Sequence, residues 1–465
     1  MRRGAAQVLA VPLLLLGGAA GADGIGKLQA AMREEDEGHV QISIVLYTAA
    51  IQDPALSQHD RLAAHFDRAG VYELSGDYEQ AIGDYTVILQ ADPRNALAVG
   101  KRAEDWWLLG DVNKALADYD EALRLEPGNA ALLCARGNLY RGRSDLAQAL
   151  ADYDRAVQLD QSNPVVFLNR ALAYKDMADY GRALSDLGRA LQLNPKYAKA
   201  YLIRAYTYRA IGDLEHAVAD YDAVLRFDPR DATVYYNRAN ANAARGLSER
   251  AIADYGQAIA LSPRNAWAYF NRAGLYLARG DYERAIADYQ STLAINDRNA
   301  DAHFGLGNAR FFSGRYAEAA QDISHALAMP SDGVLALSAG GDGSLEIKYR
   351  LIWRYLARRR AGQDGTEELH NAVAALADGD WPSPVIDLLL GRLGAEELLA
   401  AARDADPQQQ RKKQCEANAY LGEMRLIGAD RAGALPLLKA AGELCPAGYI
   451  EQRLALAELQ RLAQP

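Results

Sequence analysis

The sequence predicts an all-α fold made of one helical hairpin repeated in series, and three observations predict it. A column of alanines, Ala81, Ala115, Ala149, Ala183, Ala217, Ala251, Ala285 and Ala319, recurs every 34 residues without an insertion. Small residues hold a second column, and tyrosine holds a third in six of the eight cycles. Glycine-aspartate pairs in four cycles and prolines in five fall at fixed places of the cycle. A single hairpin cannot bury its apolar face alone, so units in phase must stack on one another.

With residue 62 as position 1, the repeats run 62–95, 96–129, 130–163, 164–197, 198–231, 232–265, 266–299 and 300–333. Position 8 is small throughout (Ala69, Ala103, Gly137, Ala171, Ala205, Ala239, Ala273, Gly307), as two closely crossing antiparallel helices require. The tyrosine at position 24 fills the space between neighbouring hairpins. Gly76-Asp77, Gly110-Asp111, Gly212-Asp213 and Gly280-Asp281 end a first helix with a residue able to turn left-handed and open the second with a capping carboxylate. Pro93, Pro127, Pro195, Pro229 and Pro263, at position 32, stop the second helix. This 34-residue pattern resembles the tetratricopeptide repeat, TPR. The resemblance implies a right-handed superhelical solenoid with a C-terminal helical extension, whose concave wall holds a peptide or protein ligand.

In chain order, residues 1–22 read as a secretory signal peptide, with Arg2 and Arg3 as the charged start, an apolar stretch over 8–16, and Ala20-Gly21-Ala22 as the cleavage site. The apolar stretch falls short of the ~20 residues of a spanning helix, and no cysteine stands near the cleavage site to carry a lipid. The expected location is periplasmic or secreted, with no integral membrane segment left after cleavage. Losing the two arginines takes the formal charge from −10 to −12. With no Lys/Arg cluster against that acidic balance, nucleic acid is not expected as a partner.

Residues 23–61 break the phase and read as an N-terminal helical cap. Within them, 41–52 still resembles a second helix, with Tyr47 at position 24 and Ala50 at position 27, and 57–60 adds a four-residue slip. Beyond the eight repeats, 334–345 is a flexible break containing AGGDGS, and 346–465 is a C-terminal helical region. There the phase returns once, over 415–448, with Gly422, Ala434, Leu438, Ala441 and Pro446 at positions 8, 20, 24, 27 and 32 of a ninth repeat. A last helix over 452–462 would cap it.

Two charged columns lie outside the general TPR pattern. Position 7 is arginine in seven repeats (Arg68, Arg102, Arg136, Arg170, Arg204, Arg238, Arg272), and position 23 is aspartate in all eight (Asp84, Asp118, Asp152, Asp186, Asp220, Asp254, Asp288, Asp322). They are expected to form a ladder of ion pairs between helices that sets register, each rung contributing little if exposed.

In a TPR solenoid the concave wall is lined by positions 2, 5, 6, 9, 12 and 13 of the first helices, and here those columns divide. Repeats three to five present Asn138, Arg141, Asn169, Lys175, Lys199 and Arg209, a polar and basic stretch. Repeats six to eight present Tyr236, Asn237, Asn240, Trp267, Phe270, Asn271, Phe304, Asn308 and Phe311, rings with amides between them that suit an extended peptide, a partner helix or a glycan. Asn138, Asn169 and Lys199 resemble part of the carboxylate clamp with which some TPR proteins hold a peptide C-terminus. Cys134 and Ile203 stand where the clamp would have lysine and arginine.

The C-terminal third resembles the NlpI-like family of bacterial cell-envelope TPR proteins, through Tyr349, Leu351, Trp353 and Leu356, Cys415-Glu416-Ala417-Asn418, Tyr420-Leu421-Gly422, Glu451 and Glu458-Leu459. The resemblance implies an adaptor that holds cell-wall hydrolases or proteases. The chain departs from the lipoprotein members by lacking a lipid-attachment cysteine and by its longer array. Cys415 and Cys445 stand at the two ends of one hairpin, so a disulfide is expected in an oxidising compartment, worth roughly 3 kcal/mol by loop-closure entropy. Cys134 reads as a small buried residue.

The seven histidines are scattered, no phosphate loop or nucleophile elbow occurs, and the carboxylates recur as caps and rungs. No catalytic residue, metal or cofactor is therefore expected. The expected partners are protein or peptide ligands of the cell envelope. A glycan or cell-wall binding module, or an accessory subunit of an envelope enzyme complex, is the alternative. Nothing in the sequence forbids a homo-oligomer through the terminal helices.

Overall fold

The computed structural model describes residues 23–329, 344–374, 376, 379–446 and 448–463. The expected signal peptide, and nearly all of the expected break at 334–345, lie outside the described residues. Those residues form an all-α protein without a strand, and none of its helices is long and apolar enough to cross a membrane.

The chain divides into two compact units between Ala223 and Val224. The first opens with α1 (Gly24–Asp36) and α2 (Val40–Ile51), an atypical pair, followed by α3 (Gln58–Ser75) with α4 (Tyr78–Ala91), α5 (Ala96–Leu108) with α6 (Val112–Leu125), α7 (Ala130–Gly142) with α8 (Leu146–Leu159), and α9 (Pro164–Asp176) with α10 (Tyr180–Leu193). α11 (Ala198–Ala210) begins the next hairpin, and α12 (Leu214–Phe227) carries the division. The second unit continues with α13 (Ala232–Ala244) and α14 (Ser248–Leu261), α15 (Ala266–Ala278) and α16 (Tyr282–Ile295), and α17 (Ala300–Phe312) and α18 (Tyr316–Ala328). Then come α19 (Ser344–Arg360), α20 (Thr366–Val373), α21 (Ser383–Leu389) and α22 (Ala395–Ala401). The hairpin α23 (Pro407–Ile427) with α24 (Arg431–Leu444), and α25 (Ile450–Leu462), end it.

Within each unit the hairpins are held by the columns read from the sequence. Tyr85, Tyr119, Tyr153, Tyr221, Tyr255 and Tyr289 are all buried. A Cβ on Gly137 would lie 2.7 Å from Tyr153 Cε1, so helix approach there is set by the ring itself. The Gly-Asp turns form with left-handed glycines, Gly110 at φ 86° among them, and Asp111, Asp213 and Asp281 accept bonds from backbone amides of the second helix. Asp77 departs from the expectation: it accepts from the Ser75 hydroxyl and caps no amide with its side chain. At the equivalent turns Ser144 and Ala178 hold φ of 63° and 59° without being glycine. The slip at 57–60 proves to be a helix start, where Ser57 Oγ accepts from the Asp60 amide.

The charged columns meet. In each of the seven repeats with arginine at position 7, Nε and Nη2 donate to the two carboxylate oxygens of the aspartate 16 residues on, as in Arg170 to Asp186, both 2.7 Å. The remaining Nη1 reaches the preceding hairpin, from Arg136 to Asp120 at 2.6 Å and from Arg170 to Asp154 at 2.9 Å. The main bonds therefore lie inside a hairpin, and only the third arm ties one hairpin to the next. Nor are the rungs exposed, since Asp152, Asp186 and Asp288 are buried. Arginines also lie over tyrosine rings four residues on, such as Arg136 over Tyr140 at 5.8 Å. The eighth repeat has Leu306 at position 7, and there Arg310, one turn later, donates to Asp322 at 2.6 Å.

In the second unit Trp353 of α19 is fully buried against Phe311 and Phe312, with ring centroids 5.2 and 5.6 Å away. Arg360 draws α19 to α23 and α25 through Glu423 and Glu458, at 3.3 and 2.9 Å. A disulfide joins Cys415 to Cys445 across the α23–α24 hairpin, Cα atoms 4.8 Å apart. Cys134 is buried, and burial pushes its thiol up to about 11, away from reactivity.

Candidate partner-binding surface

The first helices of the hairpins carry the candidate residues, because the second helices spend their faces on the tyrosine and aspartate columns. In the first unit the basic stretch is largely engaged with its own neighbours. Asn138 accepts from the Tyr153 hydroxyl at 2.7 Å, so a core tyrosine reaches the wall with its phenol tip. Arg141 is paired with Asp176 at 2.9 Å, and Lys175 lies 3.9 Å from the same carboxylate. Asn169 is half-buried, Lys199 is exposed, and Arg209 is exposed with its guanidinium 5.7 Å from the Tyr206 ring centre. The aspartate between Arg141 and Lys175 neutralises much of the basic character read from the columns.

Sequence reasoning passed over the start of the array. Lys101 pairs there with Glu73 and Glu104, at 3.1 and 3.5 Å, beside a cavity of about 460 Å³ lined by Leu97, Gly100, Tyr119 and Leu132. Neighbouring Asp105 is fully buried, and neither of its oxygens has a hydrogen-bond partner. Burial pushes its carboxyl up to about 7, and repulsion from Glu73 and Glu104 adds to that. The signal was available: position 10 holds aspartate only here, while other repeats hold valine, leucine, alanine or threonine.

In the second unit part of the aromatic stretch comes together around one cavity of about 390 Å³, lined by Asn240, Tyr255, Phe270, Asn271, Leu275 and Tyr289. Asn271 donates to Asn240 Oδ1 at 3.1 Å and to the Tyr236 hydroxyl at 3.3 Å, and Tyr255 donates to Asn240 at 2.5 Å. Phe270 stands edge-on to Tyr289 and to Trp267, with centroids 5.8 and 6.2 Å apart. Trp267 is 50% exposed, although tryptophan is rarely left so in a core. The result is an amide-floored hollow with an exposed indole at its rim.

Three members of the stretch do not reach that surface. Asn237 is buried at 8% exposure, Asn308 at 3% and Phe311 at 0%. Phe311 sits at a wall position of the last repeat, but α19 lays Trp353 over it, so it is core and not wall. Phe304 is half-buried, with the Arg350 guanidinium 5.6 Å from its ring centre, and lines a different cavity.

The fold also gathers His303, Asp322 and His325, with ligand atoms within 4.8 Å, from positions the sequence shows as scattered. Asp322 is already engaged by Arg310 at 2.6 Å, and that guanidinium opposes a cation at the same carboxylate.

Comparison with known proteins agrees with the hairpin architecture. Models described as TPR repeat match residues 137–177, 205–246 and 273–314, and models described as tetratricopeptide repeat match 165–197, 232–265 and 255–287. No curated protein matches the chain. Among solved structures, a TPR protein from Parabacteroides merdae is 24% identical, with TM-score 0.39, over 56% of this chain and 98% of that one. The C-terminal part of a TPR repeat-containing protein from Cytophaga hutchinsonii is 18% identical, with TM-score 0.46, over 52% and 99%. PilW, described as a widely conserved type IV pilus biogenesis factor, is 25% identical, with TM-score 0.41, over 44% and 95%.

Proposed function

We propose, from the premise that the chain carries tetratricopeptide repeats, that it is a scaffold that binds protein or peptide partners and acts in the periplasm or outside the cell. The observation that carries the binding reading is the hollow around Asn240, Phe270 and Asn271 with Trp267 exposed at its rim. An extended peptide offers that surface what it lacks: backbone groups for the amides and side chains for the rings.

Export is supported by the pattern of residues 1–22 and by the Cys415–Cys445 bond, which an oxidising compartment would preserve. The likeness of the C-terminal third to NlpI-like adaptors points to cell-wall hydrolases or proteases as partners. Asn138, Asn169 and Lys199 would hold a peptide carboxylate in the first unit, with Arg209 close in sequence. A half-exposed tryptophan beside amides also favours a second reading, a saccharide stacked on Trp267.

Capture from an envelope extract with the wild type and with Trp267→Ala plus Phe270→Ala separates the two. Proteins lost from the variant support the adaptor; proteins unchanged with saccharide retention lost support the glycan reading. Both unchanged removes the site from either.

A further inference from the structure

A second cavity, of about 520 Å³, lies among α17, α19, α23 and α25 in the second unit. Its walls include Phe304, Tyr349, Trp381 and Tyr449, and two carboxylates, Glu416 and Glu451, line it while only 6% and 3% exposed. Glu416 accepts from the Tyr349 hydroxyl and from Trp381 Nε1, both at 2.7 Å, and Glu451 accepts from the Tyr420 hydroxyl at 2.8 Å. All three donors are neutral.

That sets the pair apart from most buried carboxylates here. Asp84, Asp152, Asp186, Asp220, Asp254 and Asp288 each have an arginine, as do Glu423 and Glu458. Among the described residues, neither Glu416 nor Glu451 has a lysine or arginine within ion-pair distance. Two buried carboxylates sharing one cavity repel each other and are costly without a cation, and ring faces around them add attraction for one. Asp105 also lacks a cation, but it does not line the cavity beside it.

We propose that this cavity binds a primary ammonium group, carried either by a lysine side chain or by the free N-terminus of a peptide. The ammonium would sit between Glu416 and Glu451 with its alkyl stem against the rings. A bare inorganic cation is disfavoured because the walls are mostly apolar, whereas an alkylammonium uses rings and carboxylates together. Burial, with repulsion from Glu451, raises Glu416 to about 7 in the empty site, so an ammonium arriving below that pH would displace a proton, whereas at pH 8 the carboxylate already stands ionised. Lys412 and Lys413, both on the lining, oppose the bound charge, as does Arg453, which acts on Glu451 from its own helix; Lys413 is itself paired with Asp404 at 2.7 Å. The proposal does not depend on the reading of the Trp267 hollow.

Calorimetric titration of the full chain at pH 8 tests it with two probes. Nα-acetyl-lysine methylamide offers only a side-chain amine, and alanyl-alanine amide only a terminal one; Nα,Nε-diacetyl-lysine methylamide is the neutral control. Saturable binding of either amine without the control supports the site, and the amine that binds names the source. Glu451→Gln and Glu416→Gln should each weaken it at least tenfold at an unchanged melting temperature. No binding by either amine, equal binding of the control, or unchanged affinity in both glutamine variants would overturn the proposal. If those variants lose their native melt, Lys412→Ala decides. Removing the opposing charge should tighten binding roughly threefold, and unchanged or weaker binding would count against the site.

Discussion

Arg170 spends all three arms of its guanidinium, two on Asp186 in its own hairpin and one on Asp154 in the hairpin before it. Asp186 is buried, so Arg170→Ala would leave a carboxylate with no counter-charge in the packed interior, at a cost of roughly 3 kcal/mol. Arg170→Lys should recover only part of this, since a point charge cannot make the paired bonds. Denaturant melts of the two variants measure the difference. Asp105 makes the opposite case, a buried carboxylate with no partner. Its folded pKa, about 7, lies above the unfolded value near 4, so between those values the native state holds the extra proton. Stability is then fullest below about pH 4 and falls as pH rises through 7. Asp105→Asn should therefore raise the melting temperature at pH 8 and change it little at pH 3. An equal effect at both pH values would refute this sign.

The hairpin is the element that the sequence spells out, because each of its positions answers to a contact inside the same 34 residues or with the next unit. Position 8 is small because a tyrosine ring lies on it, as at Gly137. Turn geometry is equally local. Ala178 holds φ of 59° where other hairpins place glycine, so Ala178→Gly should stabilise the protein by about 1 kcal/mol, read as a later denaturant midpoint. What the repeat pattern could not convey is contact made outside the period. Phe311 and Asn308 occupy wall positions, yet the first is covered by Trp353 from a helix that shares no register with the array. Arg310 keeps the eighth rung from a different position, because a guanidinium one turn further along the helix still reaches Asp322. The charge of Arg141 was legible, but its neutralisation by Asp176, 35 residues on, was not.

At the scale of the whole molecule, the structure repeats its stacking device and varies what lies beside it. The ladder and the tyrosine column recur in both units, whereas the lysine-glutamate cluster at Lys101, the hollow at Phe270 and the cavity at Glu416 each occur once among the described residues. Function on this account resides in the unrepeated features, and Trp267 is its most exposed ring. The direct test is photo-crosslinking in living cells, with p-benzoylphenylalanine in place of Trp267 and, as control, in place of Leu261, an exposed apolar residue at the end of a second helix. The account predicts discrete protein adducts from position 267 and none of the same adducts from position 261. Adducts of equal yield from both positions, or from neither, would contradict it.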